Sequence, residues 1–458
     1  VSRSTFHDLT QGSVSTQLWR MTWPMLIAMS MLMSFNFVDA YFVSLLGTEK
    51  LAAFSFTFPV TFTVISLVIG LGVGTSATVA NTLGRGDGRR ARHQGGVAVV
   101  LSGVLVLLLC LIVWLLHDPI FLLIGASDET LPVIAEFMTI WLAGGIFVAF
   151  PMVGNAVMRA NGNTRLPSVV MALSAAVNVA LDPLLIFGIG PFPEMGLRGA
   201  ALATVIGYGV SSGFILYMLF VRMKAIAWGA SWACRIKSAR TILSIALPAS
   251  GSNMLTPVAM AGMTAIIARY GEEAVAAFGV GGRLESLVTL VILTLSMTLP
   301  PFISQNYAAG RHDRVRAAYE GTIKFVLLFQ GGVYLVLLML SSQIGATFGK
   351  DAAVAEIIAL LVVILPLAYG AQGVVILSNS SLNALHRPMG ALGLNMVRLF
   401  VMYLPLAFIG GKIGGLTGVF AGAALANAIT ACIAWRVVNG QLCPVTSMNV
   451  EEANEPTV

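Results

Sequence analysis

Charge is what this 458-residue sequence has least of. Only 10 % of its residues are Asp, Glu, Lys or Arg, against roughly 25 % in an ordinary soluble domain. A soluble protein of this length has a large surface to cover with polar side chains, so a soluble enzyme or binding module is excluded. Cysteine and histidine are scarce as well, at four and five residues. Cys110 and Cys432 fall in apolar stretches and Cys234 and Cys443 in polar ones, a spacing that suits neither a zinc motif nor a disulfide framework. Every histidine lies in a tail or a connection, which leaves a histidine metal site or an intramembrane proton relay without residues to build it. The glycine-rich stretch 84–92 lacks the Gly-Lys-Ser/Thr of a phosphate loop and reads as a solvated turn. Short alternating strands are missing too, and with them a β-barrel. No cofactor and no catalytic group is expected.

What is abundant is apolar, 57 % of the chain, and it arrives in blocks. Six of them are 18–46, 51–82, 95–116, 137–157, 166–188 and 199–221; six more are 242–268, 274–305, 325–348, 357–379, 390–410 and 415–435. Each holds a run near the ~20 residues that cross ~30 Å of hydrocarbon. Lipid offers backbone groups no partners, so each block is expected to be a helix and the fold an all-α, twelve-span integral membrane protein.

The net charge of +6 invites a nucleic-acid reading, but its distribution answers otherwise. With a cytoplasmic start, the N-terminal tail and alternate connections hold 19 of the 26 basic residues, among them Arg85, Arg90, Arg235, Lys237, Arg311 and Arg314. The opposite side holds five: Lys50, Arg198, Arg269, Lys350 and Lys412. The positive-inside rule then places both termini in the cytoplasm, and no nucleic-acid partner is expected. Residues 1–20 are polar, so the first span is expected to act as its own insertion signal. The acidic tail from Glu451 reads as disordered.

The chain repeats itself. Pro24, Gly47 and Ala52-Ala53-Phe54 recur as Pro248, Gly271 and Ala276-Ala277-Phe278, and Gly86, Arg90 and Arg92 as Gly310, Arg314 and Arg316, all 224 residues on. Pro183-Leu184 returns as Pro405-Leu406 after 222, and Gly199 through Thr204 returns as Gly422 through Asn427 after 223. Single matches of small residues arise by chance; an ordered series in one register does not. Residues 1–17 form a cytoplasmic tail, 18–221 an N-lobe, 222–240 a cytoplasmic interfacial linker, 241–438 a C-lobe and 439–458 a second tail. Six spans per lobe is an even number, so the lobes share one orientation. This is the parallel repeat of transporters that rock about a site between their halves.

Ionisable side chains inside a span cost several kcal/mol unless solvated or paired, so each is a functional candidate. Three of the 20 acids lie well within spans: Asp39, Asp182 and Glu285. Arg283 and Arg398 are the basic residues there. At ~1.5 Å per residue, Asp39 is about 28 Å from the entry near Arg20 and Asp182 about 25 Å from the entry near Arg165. Thr204 is about 8 Å from the opposite surface, so all three share one level in the outer half of the N-lobe. Asn178 and Asp182, four apart, lie on one helix face. Two carboxylates, an amide and a hydroxyl make an oxygen site for Na⁺; the same carboxyls taken out of water also suit protons. The alternative for all four is hydrogen bonding that fixes helix packing. Pro24 permits a bend in the first span, either a moving hinge or a static kink. Asn36, Asn155 and Met171 are candidate cavity residues, Met because its thioether adapts to varied apolar ligands; ordinary packing is the alternative. Arg283 and Glu285 are expected near the outer end of the eighth span as a structural ion pair or facing water. Arg398 either neutralises a buried partner or snorkels.

Four ordered landmarks carry a resemblance. They are Trp23-Pro24 with Asp39 15 residues after Pro24; Gly84-Arg85-Gly86-Asp87, answered by Ala309-Gly310-Arg311; the run from Met158 to Arg165 with Pro167; and Asn178 to Asp182-Pro183. Together they resemble the multidrug and toxic compound extrusion (MATE) family across all twelve spans, and within it the DinF-like bacterial branch, whose N-lobe carries paired aspartates. The NorM-like branch places further acids in spans seven and ten. Here 248–255 holds no acid, and Tyr369-Gly370-Ala371-Gln372 stands in span ten. The resemblance implies a monomeric secondary antiporter of the bacterial inner membrane. It would export cationic or amphiphilic drugs against H⁺ or Na⁺. Two alternatives are a major-facilitator drug antiporter and a lipid-linked precursor flippase. The first calls for a different turn after span two; the second calls for cationic rather than acidic residues inside the N-lobe cavity.

Overall fold

The computed structural model describes residues 8–229, 231–349 and 351–442. The first lobe contains α1 (Val14–Ser44), α2 (Thr48–Gly84), α3 (Gly88–Leu115), the short α4 (His117–Leu123), α5 (Leu131–Ala143), α6 (Ile146–Ala160), α7 (Arg165–Ile186) and α8 (Leu197–Tyr217). The second contains α9 (Trp232–Ile267), α10 (Glu272–Val288), α11 (Leu290–Ala308), α12 (His312–Met339), α13 (Ser341–Phe348), α14 (Ala352–Ile364), α15 (Tyr369–Ala384), α16 (Pro388–Met396) and α17 (Leu404–Leu442). No strand occurs among the described residues.

Among the described residues eight helical runs are by themselves long and apolar enough to cross a bilayer, and α5–α6 and α10–α11, bent by 49° and 44°, complete two more. The run through α16 and α17 is itself a hairpin of two crossings, because the backbone leaves helical angles at Gly414 and Gly415. Gly415 has φ 60°, which a residue with a Cβ adopts only under strain. With the 31-residue α1, the protein has twelve spans in two lobes of six. The repeat is visible in the backbone: Gly47 and Gly271 open α2 and α10 at φ 101° and 106°, each with ψ 167°.

The lobes meet along α2 and α9. A Cβ on Gly70 would lie 2.5 Å from the Ala246 carbonyl, and one on Gly74 2.5 Å from the Ile242 carbonyl. In lipid, helices gain little from apolar burial against each other, so small residues that let backbones touch make the tight seams. Helix α1 ties the lobes differently. Leu18 and Met21 in its first half pack in the C-lobe core with Phe302 and Tyr319, whereas Val43 near its end packs in the N-lobe core. Pro24 lies between those anchorages, and the helix runs continuously through it.

The face carrying most basic residues is closed by a lock. Gln305 Nε2 donates to the Ala160 carbonyl across the lobes at 2.5 Å, and Ser304 Oγ donates to the Ala77 carbonyl at 2.9 Å. The segment ahead of α1 is strapped over this point. Leu9 N–H donates to Gln305 Oε1 (3.2 Å), and Asn306 Nδ2 donates to the Leu9 carbonyl (3.1 Å). Arg314 donates to the carbonyls of Leu9, Gln11 and Gly12 and, through Nε, to Asn306 Oδ1 (2.8 Å). The turn expected over 84–92 is confined to 85–87, because α3 already starts at Gly88, with Asp87 capping it at the Arg90 N–H. The linker expected over 222–240 is shorter than that span. Its second half is already α9, started by Ser231 at the Cys234 N–H, and Ala227 pairs with α3 through Arg92.

Candidate functional site

Four residues from three helices converge in the N-lobe. On α7, Asp182 and Asn178 face α8 one turn apart; both are buried. With its nitrogen toward the carboxylate, the Asn178 amide donates to Asp182 Oδ2 at 2.8 Å, and its oxygen accepts from the Thr204 N–H at 3.1 Å. The reverse setting would turn amide oxygen to carboxylate oxygen, acceptor to acceptor. The Thr204 hydroxyl stands 3.2 Å from the same amide and donates to the Ala200 carbonyl at 3.0 Å. Gly207 permits this approach of α7 and α8, since a Cβ there would already touch Asn178 Cβ and the Ser174 carbonyl. From α1, Asp39 lies within Coulombic reach of Asp182 and of Tyr208.

One oxygen of each carboxylate, Asp39 Oδ1 and Asp182 Oδ1, is buried without a hydrogen-bond partner. A cavity of about 20 Å³ next to Asn178 and Thr204 is lined by these two with Leu32, Ser174, Ala175 and Tyr208, room for about one water-sized species. The residues predicted from depth and helix face are thus brought together. Tyr208 was not predicted, although it stands four residues after Thr204 and so on the same face.

The other candidates are scattered. Asn155 is buried on α6, its Oδ1 unpartnered, and Met171 is half-buried near the start of α7. The side chain of Asn36 lies outside the described residues.

The C-lobe departs from expectation. Of the two placements expected for Arg283 and Glu285, the ion pair is not made: Arg283 is exposed, and Glu285 Oε1 accepts from Gln372 Nε2 of α15 at 2.7 Å. Nor is Glu285 at the outer end of its span. It stands just before the bend between α10 and α11, because those two helices together form the eighth crossing. Arg398 does not snorkel; its Nε donates to Asn427 Oδ1 of α17 at 3.0 Å, within Coulombic reach of Glu285 and Tyr403. Sequence reasoning could not pair these groups, since they come from four spans whose breaks set their facing.

Two lobes of six spans, an acid pair at a polar seam and glycine contact between lobes define a secondary-transporter architecture. The MatE family matches the chain twice, over residues 24–184 and 248–409. The two matches start 224 residues apart, the offset of the internal repeat. The chain belongs to this family. It is 38 % identical to the FAD transporter of Shewanella oneidensis over 92 % of this chain and 93 % of that protein. It is 24 % identical to the multidrug export protein MepA of Staphylococcus haemolyticus, covering 93 % and 94 %. The Vibrio cholerae MATE transporter VcmN, solved in the bent form, superposes with a TM-score of 0.89 at 33 % identity, over 94 % of this chain and 97 % of that one. Family membership sets aside the major-facilitator and flippase alternatives and makes the protein a multi-pass membrane transporter rather than an enzyme.

Proposed function

We propose that the protein is a proton-coupled antiporter that exports amphiphilic solutes, with Asp39, Asn178, Asp182 and Thr204 as the coupling site. The observation that carries this is the pair of unpartnered carboxylate oxygens on α1 and α7. Two such groups within Coulombic reach repel each other unless a proton or cation joins them. A proton answers that repulsion most directly, since either bare oxygen can bind one, whereas Na⁺ calls for several oxygens gathered around it. Protonation removes charge at the point where α1 rests on the N-lobe and so changes the relative stability of the two lobe arrangements. Pro24, between the two anchorages of α1, is the place for the helix to give.

Organic cations and drugs are one substrate reading, in keeping with the MepA relative. A second is favoured by the 38 % identity to a protein named for FAD, well above the 24 % to the drug exporter. The deciding experiment is efflux from proteoliposomes of the inner-membrane protein, with a pH gradient and a Na⁺ gradient imposed separately. The proposal expects transport with the pH gradient alone. Transport driven only by Na⁺, or by neither, overturns it.

A further inference from the structure

The coupling scheme leaves the C-lobe cluster unused, yet its members sit where helices are broken. Glu285 is three residues from the end of α10 at the 44° bend. Gln372 follows the 3₁₀ turn Leu365–Ala368, and Arg398 and Tyr403 belong to the π-helical stretch Val397–Tyr403. Interrupted spans are where transporters build solute sites, and π segments gather at functional positions.

The charges are also held in an unspent state. Glu285 and Arg398 are opposite in sign and feel each other, but no ion pair joins them; each leans on a neutral amide, Gln372 or Asn427. Both remain partly exposed. A guanidinium has five N–H donors in a planar fork, and Asn427 occupies one. Tyr369 is only 3 % exposed, and its hydroxyl has no hydrogen-bond partner although it lies within Coulombic reach of Glu285 and Tyr403. Asn427 is the repeat counterpart of Thr204, so the position that serves an acid pair in one lobe serves a cation in the other.

We propose that this cluster is a substrate subsite that binds an anionic group of an organic solute on Arg398, with Glu285 accepting from an N–H of the same molecule. The inference rests on the reading of the chain as an exporter and names the polarity of what it exports. A flavin or nucleotide phosphate meets both demands. A plain hydrophobic cation satisfies Glu285 and is repelled by Arg398.

The test is equilibrium binding without any gradient, so that its outcome is independent of coupling. Full-length protein in phosphatidylcholine nanodiscs would be titrated with FMN and with riboflavin, which differs from it only in lacking the phosphate. Wild type is expected to bind FMN at least about tenfold more tightly, with the advantage shrinking as salt rises. Arg398→Gln should erase that preference, and Arg398→Lys should restore part of it, because charge returns without the fork. Equal affinity for both flavins in wild type overturns the proposal whatever the variants do. So does an Arg398→Gln protein that keeps the preference, or one that loses both flavins equally.

Discussion

The two lobes share a topology and a register, and they have opposite interiors. In the N-lobe two acids lie within Coulombic reach of each other, Asp182 against the Asn178 amide and Thr204 on the other end of that amide. In the C-lobe one acid and one base stand apart, each on its own amide. The helix starts at Gly47 and Gly271 are nearly superposable in their angles. The scaffold was therefore kept while the polar residues diverged, and on the proposed reading the divergence divides the work: like charges make a site that a proton can switch, whereas the unlike pair sums to zero and offers each sign separately to a solute.

The sharpest way to break this division is at the acids. Asp182→Asn and Asp39→Asn should each lower gradient-driven efflux by about 100-fold or more, the loss expected when an interaction of ~3 kcal/mol is made in only one state of the cycle. Transport driven by an imposed pH gradient in proteoliposomes measures it, and transport near the wild-type rate in either variant would remove the N-lobe from coupling. Gly70→Leu at the lobe seam comes next. A Cβ there already collides with α9, so the lobes must part, at a cost of ~1–3 kcal/mol or more, read as a lower melting temperature together with lost turnover. Pro24→Ala is expected to cut turnover by about three- to tenfold while changing substrate affinity less, because it restores a backbone hydrogen bond worth ~1 kcal/mol to the arrangement with a straight α1. Unaltered turnover would leave a static kink. The smallest effect belongs to His386, in the connection after α15 and beside the Ala77 carbonyl of the N-lobe. Burial pushes its pKa down, partly offset by that carbonyl, with Arg85 adding to the depression. The folded protein therefore binds this proton less readily than the unfolded chain, and the stability this buried neutral imidazole carries is lost as pH falls below the ordinary histidine value near ~6.5. Melting curves of wild type and His386→Gln should converge below that range and separate above it. Parallel curves at every pH would exclude a titrating contact.

Much of this was legible from residues alone. Twelve apolar blocks, a 224-residue offset and the shared depth of Asp39, Asp182 and Thr204 led to the lobes and to the N-lobe cluster. Depth along a helix follows from counting, and helix facing follows from a regular period of 3.6. The same arithmetic failed in the C-lobe because the period itself is interrupted there. A bend after Val288, a 3₁₀ turn and a π stretch each rotate the residues beyond them. Glu285 thus reached Gln372 rather than Arg283, and Arg398, open between a buried partner and snorkelling, reached Asn427.

The strap ahead of α1 ties residues 9–12 to the contact that holds the two lobes together. Leu9, Gln11 and Gly12 are gripped by Arg314 through their carbonyls, so the grip is indifferent to their side chains and sensitive to tension along the backbone. Gln305, which holds Leu9 with one end of its amide, holds the opposite lobe with the other. Pulling on residue 8 is mechanically the same act as prying the lobes apart. Anything attached ahead of that residue, whether a purification tag, a fluorescent fusion or a tether to a surface, is then a lever on the gate. A kinetic constant measured with such an attachment describes the transporter together with its load.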